Sequence, residues 1–552
     1  MRDILPVPFT PKLFTVLREG YGIAQLRTDA LAGLTVAIVA LPLAMALGIA
    51  SGASPDKGLV TAVVAGFLIS ALGGSRTQIG GPTGAFVVVV FNIIAEHGYD
   101  GLVLATLMAG AILLVAGYAR LGSLIKFIPH PVVTGFTAGI AVIIAATQVK
   151  DFLGLRMAAV PADFLPKLAA YADAIGTIDL ATLGVGAAAL GIIIVLRRTA
   201  PKVPGFLVAV VAAALAVSLL GLPVDTVGSR FPDIPSGLPA PHIPALDLDK
   251  VTSVLPAAFT IAFLAGIEAL LSAVVADGMT GYRHRSNQEL VGQGAANLAS
   301  ALFGGLPATG AIARTATNIR AGGRTPVSGM FHALFLLLFM AFGTKLMGYI
   351  PMAALAAILF MVAWGMSEYE RLLRIRAMPG GDRVVLLLTF ALTVLVDLTV
   401  AIGVGVTLAS LMFMERMSRT VAVTVREVET EDAAQRDDLP PGVEVFRITG
   451  PFFFGVASDL VETLRRMGQP PRVIILRLRE VPLLDASGVE GIKEFVAMAH
   501  RHGAAVIFSN VQPEPAQVLR RNGLGPRSGK VRFAPDYAAA LAMASAEHTE
   551  PS

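Results

Sequence analysis

The sequence predicts an all-α polytopic membrane domain of 14 TM segments in a 7+7 inverted repeat, followed by a small soluble α/β domain. Three observations carry this prediction: an apolar composition, apolar runs recurring from residue 30 to about 415, and an abrupt change of composition after Arg419. The chain has 552 residues, 55% of them hydrophobic and 15% charged, with a mean hydropathy of +0.72. Soluble chains carry about a quarter charged residues, so most of this protein is dissolved in lipid. There are no cysteines, which excludes disulfides, thiolate metal sites and Cys nucleophiles. The eight histidines fall in no metal-ligating spacing, so neither a metal nor a cofactor is expected. No P-loop, nucleophile elbow or metal set supports an enzyme. The net charge of +4 reflects membrane-flanking loops rather than a nucleic-acid partner.

The apolar segments run over about 30–50, 58–73, 83–95, 101–119, 128–148, 179–196, 203–220, 253–276, 288–304, 310–321, 326–345, 350–366, 384–397 and 398–415. Residues 1–29 form an N-terminal segment without the pattern of a cleaved signal peptide. With Arg2, Lys12, Arg18 and Arg27 in the cytoplasm, five further basic clusters also fall inside: Arg120/Lys126, Arg197/Arg198/Lys202, Arg283/Arg285, Arg320/Arg324 and Arg371/Arg374/Arg376/Arg383. The short loop 96–100 and the Pro-rich loop 221–252 are then outside. An even number of crossings returns the C-terminus to the cytoplasm, so the chain is expected in the cell membrane with both ends inside. After the transmembrane domain (30–417), residues 420–552 alternate strand-like runs (421–425, 443–448, 473–478, 505–508) with helical ones (458–467, 487–500, 514–522), the mark of an α/β domain. The acidic stretch 427–438 reads as a surface loop.

Two stretches echo each other. SALGG (70–74) precedes GGPTGA (80–85), and SALFGG (300–305) precedes LPATGA (306–311). Each opens the third segment of its half, and seven segments per half make the second half enter the membrane from the opposite side. Both segments are too short to span. From Gly84 to Ala95 there are twelve residues, about 18 Å of helix against about 30 Å of hydrocarbon. A helix that starts inside the membrane leaves amide donors unpaired there, and two such starts facing each other offer aligned donors and positive dipole ends. That arrangement is an anion site.

Several polar residues stand inside or beside apolar runs. Arg314, one turn into the second broken helix, costs at least about 2.5–3.5 kcal/mol to bury alone, so it is expected to face a cavity and attract the anion, or to pair with Glu268. Glu268 lies in the middle of segment eight and is able to carry a proton, or to bind Na+ together with Ser272 one turn on. Asp397 is placed at the outer edge of a tight turn. Asp277, Arg283, Arg285 and Glu289 are placed at interfacial helix ends, and His332 is read as a satisfied packing histidine.

The runs GGSRTQIGGPTGA (73–85) and NQELVGQGAANLASALFGGLPATGAIARTATNIRAGGRTPVSG (287–329) resemble the sulfate permease family of anion transporters (SulP, solute carrier family 26 in animals). The resemblance covers nearly the whole chain. It implies core and gate domains, an elevator-like motion and a homodimer. It also implies a substrate site where Thr83, Gly84 and Ala85 match the start of the third helix and Ala311, Ile312, Ala313 and Arg314 that of the tenth. Glu268 and Ser272 match ion-coupling positions of the eighth helix. Many members carry a polar and aromatic motif in the first helix, whereas LPLAMAL (41–47) is wholly apolar here. Apolar versions occur in members similar to bicarbonate transporters, while Arg314 resembles the sulfate and other anion branches. The function implied is secondary active transport of a small inorganic anion, sulfate or bicarbonate, as H+-coupled symport or exchange. A C4-dicarboxylate transporter, an anion channel and a membrane-tethered signalling protein are the alternatives. The C-terminal part resembles a STAS domain, in which LDASG (484–488) matches a phosphorylation motif and makes Ser487 a regulatory candidate. The same serine is also expected to cap the helix that follows.

Overall fold

The computed structural model describes residues 9–549 apart from 124–128, 158–159, 162, 202, 243, 245–247, 420–421, 426–438, 453–459, 461, 463, 465–470 and 527–530. The acidic stretch 427–438, Arg2, Lys126 and Lys202 therefore lie outside the described residues, as does most of the helical run 458–467.

The first half of the membrane unit opens with α1 (Lys12–Glu19), α2 (Ile23–Ala50) and α3 (Pro55–Leu72). A two-residue strand β1 (Gly80–Gly81) then leads into α4 (Gly84–Tyr118), followed by α5 (His130–Leu153), α6 (Phe164–Ala174), α7 (Leu180–Thr199) and α8 (Gly205–Leu220). After the short α9 (Val227–Arg230), the second half runs α10 (Leu248–Thr280), α11 (Ser286–Leu302), β2 (Thr309–Gly310) and α12 (Ile312–Arg320). It closes with α13 (Pro326–Met347), α14 (Met352–Met366), α15 (Tyr369–Leu373), α16 (Gly380–Leu395) and α17 (Leu398–Arg419). Helices lie along all the expected apolar stretches. Among the described residues, eight are long and apolar enough to cross a membrane by length and composition. The third and fourth expected segments form one helix, α4, broken at Gly98, whose φ of 71° takes it out of the helical region.

Packing follows the repeat. Exchanging the halves maps α2 onto α10, α3 onto α11, α4 onto α12 with α13, α5 onto α14 and α7 onto α16. Under that exchange the contact of α2 with α13 becomes that of α10 with α4. The contact of α3 with α13 becomes that of α11 with α4, and α5 on α16 becomes α14 on α7. Two bundles result, one of α2–α4 with α10–α13 and one built on α5, α7, α8, α14 and α16. Lipid tails are as apolar as leucine, so close backbone approach is what holds such helices together. At the α4–α11 crossing Gly110 and Gly294 face each other, and a methyl group on either would lie within 2.9 Å of the other's carbonyl oxygen.

The second compact unit begins at residue 410 and contains a five-stranded sheet. Its strands are β3 (Ala422–Val425), β4 (Val443–Thr449), β5 (Val473–Glu480), β6 (Ala505–Ser509) and β7 (Arg532–Ala534), in that spatial order. Only β3 is antiparallel to its neighbour. The central strand is buried on both faces, as parallel sheets require. Ile474 and Leu476 pack with Phe446, Phe495 and Phe508 on the side of α18 (Ala486–Arg501). Val473 and Ile475 pack on the other side with Ala540 and Ala544 of α20 (Tyr537–Thr549). Helix α19 (Pro513–Arg521) completes the unit.

Candidate anion-binding site

The two broken helices start side by side because β1 and β2 pair antiparallel, Gly80 with Gly310 and Gly81 with Thr309. Extended backbone at membrane depth survives only when protein groups satisfy it, and side chains from other elements do so here. Asn297 bridges both polar groups of Ala308 at 2.8 Å, Ser300 donates to the Leu306 carbonyl and Thr61 accepts from the Leu306 amide. On the other strand the Ile79 amide donates to Thr315 Oγ1 at 3.0 Å, and Asn318 donates to the Thr77 carbonyl. Glu289 accepts from the Gly74 and Ser75 amides and from Gln293. It is fully buried, which corrects its placement at an interfacial helix end: a carboxylate there satisfies the chain leading into β1. Asp277, by contrast, accepts from the His284 amide and pairs with its ring in the α10–α11 turn.

Both helix starts are bare. Thr83 and Ala311 occupy the N-cap positions of α4 and α12, and neither side chain caps its helix. Thr83 turns its hydroxyl instead to Glu268, donating to Oε2 at 2.8 Å. The first amides of each helix therefore keep their donors for a ligand. Gly84, Ala85 and Ala311 are buried, Thr83 and Glu268 are half-buried, and Ile312 and Ala313 are exposed. The second bundle closes over the α4 tip: a methyl group on Gly84 would meet Met366 Sδ at 2.7 Å and Ile144 Cδ1 at 3.1 Å.

Arg314 is only 3% exposed and reaches behind the tip of α4. One guanidinium nitrogen donates to the Pro82 carbonyl, while Nε and Nη1 have no hydrogen-bond partner. It forms no ion pair with Glu268. Gly81 makes room for it: a methyl group there would lie 2.3 Å from Nη1, at a φ of 148° that favours glycine. The charge thus sits under the paired strands rather than in the open mouth. Ser272 is buried and shares a 3.2 Å hydrogen bond with Thr315, so it does not join Glu268. His332 departs from its reading as a satisfied residue, since it is fully buried with neither ring nitrogen partnered. Asp397 accepts from the Thr399 and Val400 amides at the start of α17.

Sequence reasoning missed Thr315, Met366 and Ile144. Thr315, one residue past Arg314, could have been flagged by its place in the polar run of α12; the other two carry no polar signal. In the second unit Ser487 is exposed in the first turn of α18. Contrary to the sequence expectation, it does not cap that helix; Asp485 does, accepting from the Gly488 amide at 2.6 Å.

The profile described as the sulfate permease family matches residues 26–389, and that of the STAS domain matches residues 437–540. The chain is 41% identical, over 93% of its length and 97% of the relative's, to YvdB of Bacillus subtilis (strain 168), whose name proposes sulfate transport. It is 34% identical to the bicarbonate transporter BicA of Picosynechococcus sp., over 83% of this chain and 84% of that one. The solved transmembrane domain of a cyanobacterial BicA superposes with a TM-score of 0.63 at 34% identity, covering 69% of this chain and 99% of that one. Murine Slc26a9, an anion transporter, shares the fold at a TM-score of 0.84 and 16% identity, over 97% of this chain and 94% of that one. The chain therefore belongs to the sulfate permease family of sulfate and bicarbonate transporters, and it carries a STAS domain after its membrane part.

Proposed function

We propose that this chain is a secondary active transporter that carries sulfate or bicarbonate across the cell membrane together with protons. One observation carries the reading: the β1–β2 pairing sets two uncapped helix starts next to each other. The anion sits against the amides at Thr83, Gly84 and Ala85 on one side and at Ile312 and Ala313 on the other, the Ala311 amide being held by the Ile79 carbonyl at 2.8 Å. Arg314 adds positive charge from behind and holds the Pro82 carbonyl away from the ligand. Two positive helix ends and a guanidinium suit a compact oxoanion better than a neutral solute.

Glu268 is the coupling group. Its bond to Thr83 ties its protonation to the conformation of the helix that holds the anion. Proton coupling is favoured over sodium because Ser272, the second ligand a sodium site would need, is engaged by Thr315. The bundle carrying both helix starts moves as a body against the other bundle in an elevator-like step, and two copies of the chain form a homodimer. Residues 30–417 form this transport domain, and residues 420–552 a cytoplasmic STAS domain with Ser487 as its regulatory position. The N-terminal segment 1–29 lies on the same side.

Proteoliposomes containing the full chain test the reading, with radiolabelled sulfate, bicarbonate, chloride and succinate each offered under imposed H+ and Na+ gradients. Sulfate or bicarbonate uptake driven by the H+ gradient is the expected result. No uptake of any of these anions under either gradient would refute it.

A further inference from the structure

Helix α6 was not foreseen from the sequence, and the site described above does not use it. It joins α5 to α7 at the end of the membrane unit where α2 turns into α3, and it packs on α5 and α16 of the second bundle. Its buried face carries two polar residues one turn apart. Lys167 is 1% exposed and Tyr171 is 5% exposed. The Tyr171 hydroxyl has no hydrogen-bond partner, and Lys167 makes no ion pair among the described residues. The carboxylate nearest Tyr171, that of Asp151, is already held by Arg230, with two contacts of 2.8 and 3.1 Å. An ammonium is costly to bury without an ion pair and hydrogen bonds.

Asp163, at the N-cap of α6, is near enough for its charge to act on Lys167 without forming an ion pair, and across the bundles Nζ faces the ring of Phe91, whose centroid lies 5.6 Å away, within the reach of a cation–π contact. Phe91 belongs to the first bundle. It stands seven residues after Gly84 (91 − 84) on the same half-helix, about 10 Å from the tip that forms the anion site. A cation fixed to one bundle is thus plugged by a ring fixed to the other. Any displacement of that half-helix along the second bundle separates them and leaves a bare ammonium, with a phenol hydroxyl beside it, in the mouth of the cleft.

We propose that Lys167 and Tyr171 form an entry site for the anion at this mouth of the cleft, shut by Phe91 in the present arrangement. The proposal rests on the transport reading and adds to it a residue that draws the anion in from one side only. A freed ammonium raises the local anion concentration, and its effect weakens with salt.

The test is sided uptake in uniformly oriented vesicles at low ionic strength. Relative to the wild type, K167M is expected to raise KM for sulfate or bicarbonate offered at the α6 face by roughly three- to tenfold. KM at the opposite face should stay unchanged, which also shows that the variant folds. The chain has no cysteine, so K167C introduces a unique thiol; it should copy K167M, and aminoethylation of that thiol should restore the wild-type KM. Equal KM values for K167M and wild type at both faces, or an equal rise at both, would overturn the entry site. Uptake by the wild-type chain, measured first in the same vesicles, tests the transport reading separately.

Discussion

Arg314 illustrates how a single charge acts without touching the open cleft. One of its guanidinium nitrogens holds the Pro82 carbonyl, so it braces the start of α4 and adds positive potential through a thin layer of backbone. R314A should lower affinity for the transported anion about tenfold or more, because a charged donor is lost and a buried carbonyl is left unpaired. Binding measured by calorimetry on the purified chain checks this, and an unchanged affinity would remove Arg314 from the site. Glycine at position 81 is required for the same reason, since a methyl group there would collide with the guanidinium. His332 has no partner to lose. H332L should therefore leave the melting temperature equal to or above that of the wild type; a marked fall would mean that its ring nitrogens are satisfied after all. Arg314 was legible in the sequence because a charge stands out in an apolar run. Its acceptor was not, because a backbone carbonyl carries no letter, and the unpartnered state of His332 depends on neighbours far away in the chain.

At the scale of elements, the broken helices were readable from proline, glycine and the shortness of the runs that follow. What could not be read was their mutual placement, because the β1–β2 pair joins residues some 230 positions apart through only two residues on each side. Helix α6 escaped notice for the opposite reason: it is neither long nor apolar enough to resemble a span. In the STAS domain, Asp485 rather than Ser487 caps α18, since the aspartate stands one position before the first helical residue. D485A should cost about 0.5–2 kcal/mol of local stability, read as faster hydrogen exchange at the start of α18. The same domain carries a pH-dependent contact. The hydrogen bond from Arg447 holds the Glu480 carboxyl below its ordinary value of 4.5. A lowered folded-state value means that the contribution is complete above about 4.5 and disappears as pH falls through that lower value. E480Q should therefore lower domain stability slightly at pH 7, and the gap should close in acid. Denaturation of the full chain monitored by exchange in β5, compared at pH 7 and pH 3, would show it.

For the molecule as a whole, the repeat explains why one site contains two helix starts of opposite direction. The exchange that maps α2 onto α10 also carries the start of α4 onto that of α12, so the two tips approach one another from opposite faces. Glu268 stands next to this pair through Thr83. E268Q should abolish uptake driven by a pH gradient and leave anion exchange, since a glutamine can keep the Thr83 contact yet carries no titrating proton; uptake that still follows acidification in that variant would end the proton assignment. The most direct measurement of the central claim is an experimental structure with bound selenate, a heavy analogue of sulfate, located by its anomalous signal. Selenate is expected between the two helix tips, within hydrogen-bond reach of the amides around Gly84–Ala85 and Ile312–Ala313. Selenate bound elsewhere in the membrane unit, with the space between the tips left to Met366 and Ile144, would contradict it.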